Sequence, residues 1–143
     1  RLGTARGLRV STIKHAHHAF DVDTPGKDSY EHRAAGAQEV LVASAARWAL
    51  MREHRGAEEP SLQELLGRLA PCDLVLVEGF KREVGDRLEV YRASCGQSPL
   101  ALEDDGIRVV ATDDAGTFAG RADLRCLPLD DEAAVLDYVL ARS

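Results

Sequence analysis

The chain has 143 residues, 45% of them hydrophobic and 29% charged, with a formal net charge of -6. That is the size and composition of one globular domain, able to bury about two-thirds of the surface its unfolded form exposes, and the acidic balance argues against a general nucleic-acid or anionic-membrane surface. No apolar run approaches a spanning helix, the opening RLGTARGLRV has no signal-peptide core, and Cys72, Cys95 and Cys126 are scattered without CxxC spacing, so the chain reads as cytosolic, with neither a disulfide framework nor a cysteine zinc site.

Leu8 to Ile13 (LRVSTI) reads as a strand. The polar stretch KHAHHAFDVDTPGKDS, residues 14 to 29, follows it and leads into a helix. Asp28 with Glu31 three residues later fits a capping box, and that helix is expected to reach the Gly36 region. Glu39 to Ala43 (EVLVA) and Arg47 to Arg52 (RWALMR) are short, strand-like and close together, as in an antiparallel hairpin. After the turn-like RGAEEP, Ser61 and Glu64 give a second capping box, with Leu62, Leu65, Leu66 and Leu69 spaced on one helical face. Asp73 to Val77 (DLVLV) has the nearly continuous apolar character of a strand buried on both faces, and it stops at Glu78-Gly79. LEVYR at 88 to 92, IRVVAT at 107 to 112 and RCLPL at 125 to 129 continue the series. A last helix, Asp131 to Ala141, carries Val135, Leu136, Val139 and Leu140 on one side. The alternation predicts an α/β sheet, with ligands in the crevice outside the carboxyl ends of its strands.

Two polar clusters fall at such ends: residues 14 to 29, and Glu78 with its neighbours. An acid after four apolar residues at a strand end is how phosphate-binding α/β proteins hold Mg²⁺ beside a nucleotide, and it is also an ordinary solubilising ending. His15 and His17 would point the same way on an extended chain, which allows joint metal ligation, although a structural zinc site wants four ligands and no cysteine is near in sequence. Lys14 and Lys27 read either as solvated loop charges or as phosphate contacts. Asp28 reads either as a helix cap or as a catalytic or metal-linked carboxylate.

TIKHAHHAFDVDTPGKDSYEHRAAGA (12 to 37), RWALM (47 to 51) and DLVLVEGFK (73 to 81) resemble the molybdopterin-guanine dinucleotide biosynthesis adaptor (MobB) family. The resemblance implies a P-loop NTPase-like three-layer α/β sandwich, with a mostly parallel central sheet and a short antiparallel hairpin. It also implies GTP and Mg²⁺ binding with at most weak hydrolysis, a homodimer, and partnership with the guanylyltransferase that joins GMP to molybdopterin. The family's GxxxxGK[ST] phosphate loop has no counterpart here, since the only GK, Gly26-Lys27, precedes Asp28. RLGTARG looks like the tail of the helix that follows such a loop, so residues 1 to 143 are expected to form a single domain whose first strand and phosphate loop lie upstream of Arg1.

Under that resemblance residues 14 to 29 form a switch-type loop. Asp21, Asp23 or Asp28 faces the γ-phosphate through Mg²⁺ or an attacking water, Asp28 being the catalytic candidate at a helix N-terminus. Glu78 joins Asp21 and Asp23 as a metal candidate; Lys14, Lys27, Ser29 and Gly79 are candidate nucleotide contacts. His15, His17 and His18 are candidates for the pterin cofactor's phosphate or the partner enzyme. Asp113 is a guanine-recognition candidate with a turn role as its alternative. Two other functions fit: a nucleotide-dependent metallochaperone using His15, His17 and His18, and a non-catalytic scaffold for the guanylyltransferase.

Overall fold

The computed structural model describes residues 1–16, 20–80 and 85–142. They fall into two compact units, one of Arg1–Thr12, Pro71–Leu76 and Phe80–Ser143, the other of Ile13–Ala70 and Val77–Gly79.

In the first unit, β5 (Arg87–Tyr91), β6 (Ile107–Thr112) and β7 (Arg125–Pro128) form a parallel sheet with β6 in the middle. The run IRVVAT, apolar but for Arg108 and Thr112, suits that central place. Ile107, Val109, Val110, Ala111 and Thr112 are all buried, as a strand covered on both faces requires. Ala101, Ile107, Val110 and Phe118 form the core, and Tyr91 meets Phe118 edge-on with ring centroids 5.5 Å apart. Helix α4 (Glu132–Leu140) is capped by Asp131, whose carboxylate accepts the Ala134 N–H at 2.9 Å. Helix α1 (Leu2–Ala5) packs on α4, where Arg6 pairs with Asp137.

Strands β1 (Val10–Lys14) and β4 (Leu74–Glu78) pair with each other and run the same way: the Arg9 carbonyl accepts from Asp73 at one end, and His15 donates to the Glu78 carbonyl at the other. Among the described residues β4 has no strand on its second side, and neither does β5. DLVLV therefore departs from the double burial its composition predicts. Leu76 and Val77 are exposed, and Val90 of β5 is 70% exposed, because one-sided pairing leaves their apolar side chains uncovered.

The start of the β1–β4 pair is stapled by Arg9, whose N–H and guanidinium donate to both Asp73 oxygens at 2.8 to 3.1 Å. These hydrogen bonds hold the Asp73 carboxyl down at about 2, against an ordinary 3.8. With the folded value depressed, the pair's stabilisation is complete above pH 3.8 and is lost as pH falls through about 2. Over that window the melting temperature of Asp73→Asn is expected to fall less steeply than that of the unsubstituted protein, which thermal scans at stepped pH will show.

In the second unit, β2 (Glu39–Ala43) and β3 (Trp48–Arg52) make the antiparallel hairpin the sequence predicts, with Val40 opposite Met51, Leu41 opposite Leu50 and Ala43 opposite Trp48. Ser44 closes the turn: its N–H bonds the Arg47 carbonyl and its hydroxyl accepts the Ala46 and Arg47 N–H groups. Helix α2 (Asp28–Ala34) packs against β2, and Val40 is buried. The alternation of a strand then turns Leu41, Trp48 and Leu50 to the other face, where all three are exposed, Trp48 by 69%.

Helix α3 (Leu62–Leu66) starts with the predicted capping box: the Ser61 hydroxyl accepts the Glu64 N–H at 3.3 Å, and the Glu64 carboxylate accepts the Ser61 N–H at 2.8 Å. The box predicted at Asp28 is absent. Lys27, in extended backbone, is the residue before the helix, and Asp28 is already its first helical residue, so its carboxylate does not cap. The cap reading of Asp28 is thereby corrected. Its charge still sits in the first turn with Glu31, where the helix dipole favours an acid.

Candidate functional site

The carboxyl ends of β1 and β4 bring Lys14, His15, Glu78 and Gly79 together within the second unit. Strand pairing does the placing: the His15 N–H donates to the Glu78 carbonyl at 2.8 Å, which sets the two strand ends side by side. Lys14 Nζ then meets Glu78 Oε1 at 2.7 Å, with both side chains exposed. His15 Nε2 lies 2.7 Å from Glu59 Oε1, so the imidazole is tied to the segment preceding α3. Gly79 turns the chain away with φ 93°, and a Cβ there would stand 2.7 Å from the His15 Cβ. Phe80 follows with φ 51°, a second left-handed residue and one with a side chain. An acid and a base are thus held at strand ends by a backbone that only glycine allows, an arrangement suited to a cation and to phosphate oxygens.

A second cluster lies in the same unit between β1 and α2. Asp21 accepts the Asp23 N–H at 2.9 Å, and Asp23 accepts the Thr24 N–H at 2.9 Å and the Ser29 hydroxyl at 2.8 Å. These local bonds give the loop its shape. Arg33, from the last turn of α2, gathers the acids: Nη2 reaches both Asp21 oxygens at 2.7 and 3.0 Å, Nη1 reaches Glu53 at 2.9 Å, and Nε faces Asp23 Oδ2 at 3.4 Å. The hydrogen bond from Arg33, then that from the Asp23 N–H, lowers the Asp21 pKa; Asp21 and Glu53 in turn raise that of Arg33. Arg55 supports the arrangement from behind, donating to the carbonyls of Arg33 and Ala37.

The predicted site residues therefore divide. Lys14, His15, Glu78 and Gly79 meet at the strand ends, whereas Asp21, Asp23 and Ser29 meet around Arg33. Lys27 and Asp28 are exposed at the start of α2. Among the described residues no group of His, Cys, Asp and Glu side chains is gathered as a metal cage. In the first unit, Asp113 accepts the Ala93 N–H at 2.9 Å, and its other oxygen stands 3.6 Å from Arg92. His17 and His18 lie outside the described residues.

A family model described as molybdopterin guanine dinucleotide synthesis protein B (MobB) matches residues 1–113. The molybdopterin-guanine dinucleotide biosynthesis adapter protein of Escherichia coli (strain K12) is 42% identical over 138 residues, covering 95% of this chain and 77% of that protein. The chain belongs to the MobB family. The adapter protein of Haemophilus influenzae is 40% identical over 111 residues, and the match covers 76% of this chain and 60% of that protein. A crystal structure of molybdopterin-guanine biosynthesis protein B superposes with a TM-score of 0.71 at 24% identity, covering 98% of this chain and 84% of that one. A crystal structure of Bacillus subtilis MobB does so with a TM-score of 0.67 at 25% identity, covering 99% and 83%. The fold is accordingly the α/β fold of MobB crystal structures, as the sequence predicts.

For this MobB-family chain the sequence reading found the acids and missed what holds them. Arg33, Glu53, Arg55 and Glu59 all stand 10 or more residues from their partners in the chain. One signal was available: DVD carries two carboxylates, and α2 ends in a lone arginine on the face one turn below Ser29 and Tyr30.

Proposed function

We propose that the chain is a GTP-binding adapter in molybdopterin-guanine dinucleotide formation. It binds the nucleotide with Mg²⁺, hydrolyses it weakly if at all, and acts through the guanylyltransferase that joins GMP to molybdopterin. The observation that carries this reading is the juxtaposition of Lys14 and Glu78 at paired strand ends in a MobB-family fold. There Glu78 would hold Mg²⁺, directly or through water, and Lys14 would turn from Glu78 to a phosphate oxygen.

The remaining parts follow the same chemistry. A strand and phosphate loop upstream of Arg1 complete the single domain, supported by the one-sided pairing of β4 and β5 and the apolar side chains uncovered there. Asp28, exposed in the first turn of α2 with no capping duty, is the candidate to orient water, flanked by Lys27 and Ser29. His15, His17 and His18 are the candidates to contact the cofactor's phosphate or the transferase, and Asp113 is the candidate to accept from guanine. The uncovered hairpin face of Leu41, Trp48 and Leu50 joins two copies into a homodimer, working in the cytoplasm.

Sedimentation of the full-length protein, alone and with the guanylyltransferase, tests the adapter and the dimer together. A dimer is expected alone, a larger complex with the enzyme, and a higher yield of dinucleotide cofactor when substrate is limiting. No complex and an unchanged yield would sink the adapter reading.

A further inference from the structure

Arg33 is one guanidinium facing three carboxylates that come from two places: Asp21 and Asp23 from the loop after β1, and Glu53 from just past the end of β3. Its side chain is 16% exposed and that of Asp23 is 9% exposed, so these charges are withdrawn from water and depend on one another. Asp23 Oδ2 and Arg33 Nε are both buried without a hydrogen bond, and only charge attraction across 3.4 Å joins them. Arg33 is itself fixed, with its guanidinium 5.5 Å from the Tyr30 ring centroid and its carbonyl held by Arg55.

Three carboxylates gathered this closely repel one another unless a positive charge stands among them. Here the side chain of the same fold fills their centre, and its planar fork reaches more than one acid at once, which a point charge cannot do. We propose that Arg33 is an internal cation that holds the loop of residues 20 to 29 in place without a metal ion. It is a positioning residue: it touches no reacting group, and sets where Lys27, Asp28 and Ser29 stand. Which ligand those residues meet rests on the nucleotide reading above.

Amide hydrogen exchange of the full-length protein tests this, with the β6 amides as an internal measure of global folding. In Arg33→Ala the amides of residues 20 to 29 are expected to exchange about tenfold faster or more, with β6 unchanged. Arg33→Lys, which keeps the charge and loses the fork, should fall between Arg33→Ala and the unsubstituted protein. Loop exchange in both variants like that of the unsubstituted protein would overturn the proposal. If Arg33→Ala does not fold, protection in Arg33→Lys decides alone: faster loop exchange with β6 unchanged supports the clamp, and unchanged loop exchange overturns it. GTP affinity measured on the same variants separates the two readings. A loosened loop with unchanged affinity leaves the clamp standing and removes the loop from the nucleotide site.

Discussion

Gly79→Ala should destabilise the protein by roughly 3 kcal/mol, the sum of two effects that act at this one residue. The backbone stands at φ 93°, where any side chain is strained, and the new Cβ would lie 2.7 Å from the Cβ of His15. Relief is not local. His15 is fastened through its N–H to the Glu78 carbonyl and through its ring to Glu59, so yielding room means parting the ends of β1 and β4. Gly56→Ala is the control: φ there is 87°, yet nothing stands within 4 Å of the added carbon, so only the conformational cost of about 1 kcal/mol applies. Urea unfolding of the two variants measures the difference. Equal losses would show that the strand ends accommodate the methyl group.

Glu78→Gln should weaken the Mg²⁺-dependent part of GTP affinity roughly tenfold to a hundredfold, the range for losing a group that binds or orients a metal ion. Stability should hardly change, because the Lys14–Glu78 pair is exposed on both sides and such pairs contribute about 0 to 1 kcal/mol. That contrast makes the substitution informative: a binding defect in a protein that melts normally cannot be ascribed to misfolding. Calorimetric titration of GTP into the full-length protein, with and without Mg²⁺, supplies the measurement. If the gain in affinity from Mg²⁺ is the same in both proteins, Glu78 is only the polar end of an apolar strand.

Local pattern was enough wherever one element carries its own instructions. IRVVAT declares a strand, Ser61 with Glu64 declares a helix start, and two apolar runs a few residues apart declare a hairpin; each is found where it was predicted. Asp28 shows how narrow the margin is. One residue's difference in where the helical backbone begins turns a capping carboxylate into a first-turn charge, and Asp28-Glu31 spacing alone does not decide it. DLVLV failed differently, since burial depends on how many strands flank it, which no property of those five residues records. The site was legible as a set of acids and bases at strand ends. Their grouping was not, because the Arg33–Asp21, Arg33–Glu53 and His15–Glu59 pairs are made by tertiary folding, not by any helix or strand period.

The left-handed pair at the end of β4 has an energetic meaning beyond its shape. Glycine occupies such a conformation freely, whereas Phe80 at φ 51° is held there at a cost of roughly 1 to 3 kcal/mol. The residue immediately beyond Glu78-Gly79 is therefore a small loaded spring in the main chain. A ligand whose binding at Glu78 lets Phe80 return to an ordinary conformation recovers that energy as affinity; one that leaves it in place recovers none. Two ligands making identical contacts with Lys14 and Glu78 would then differ by about fivefold to a hundredfold in binding, decided by one backbone angle that neither of them touches.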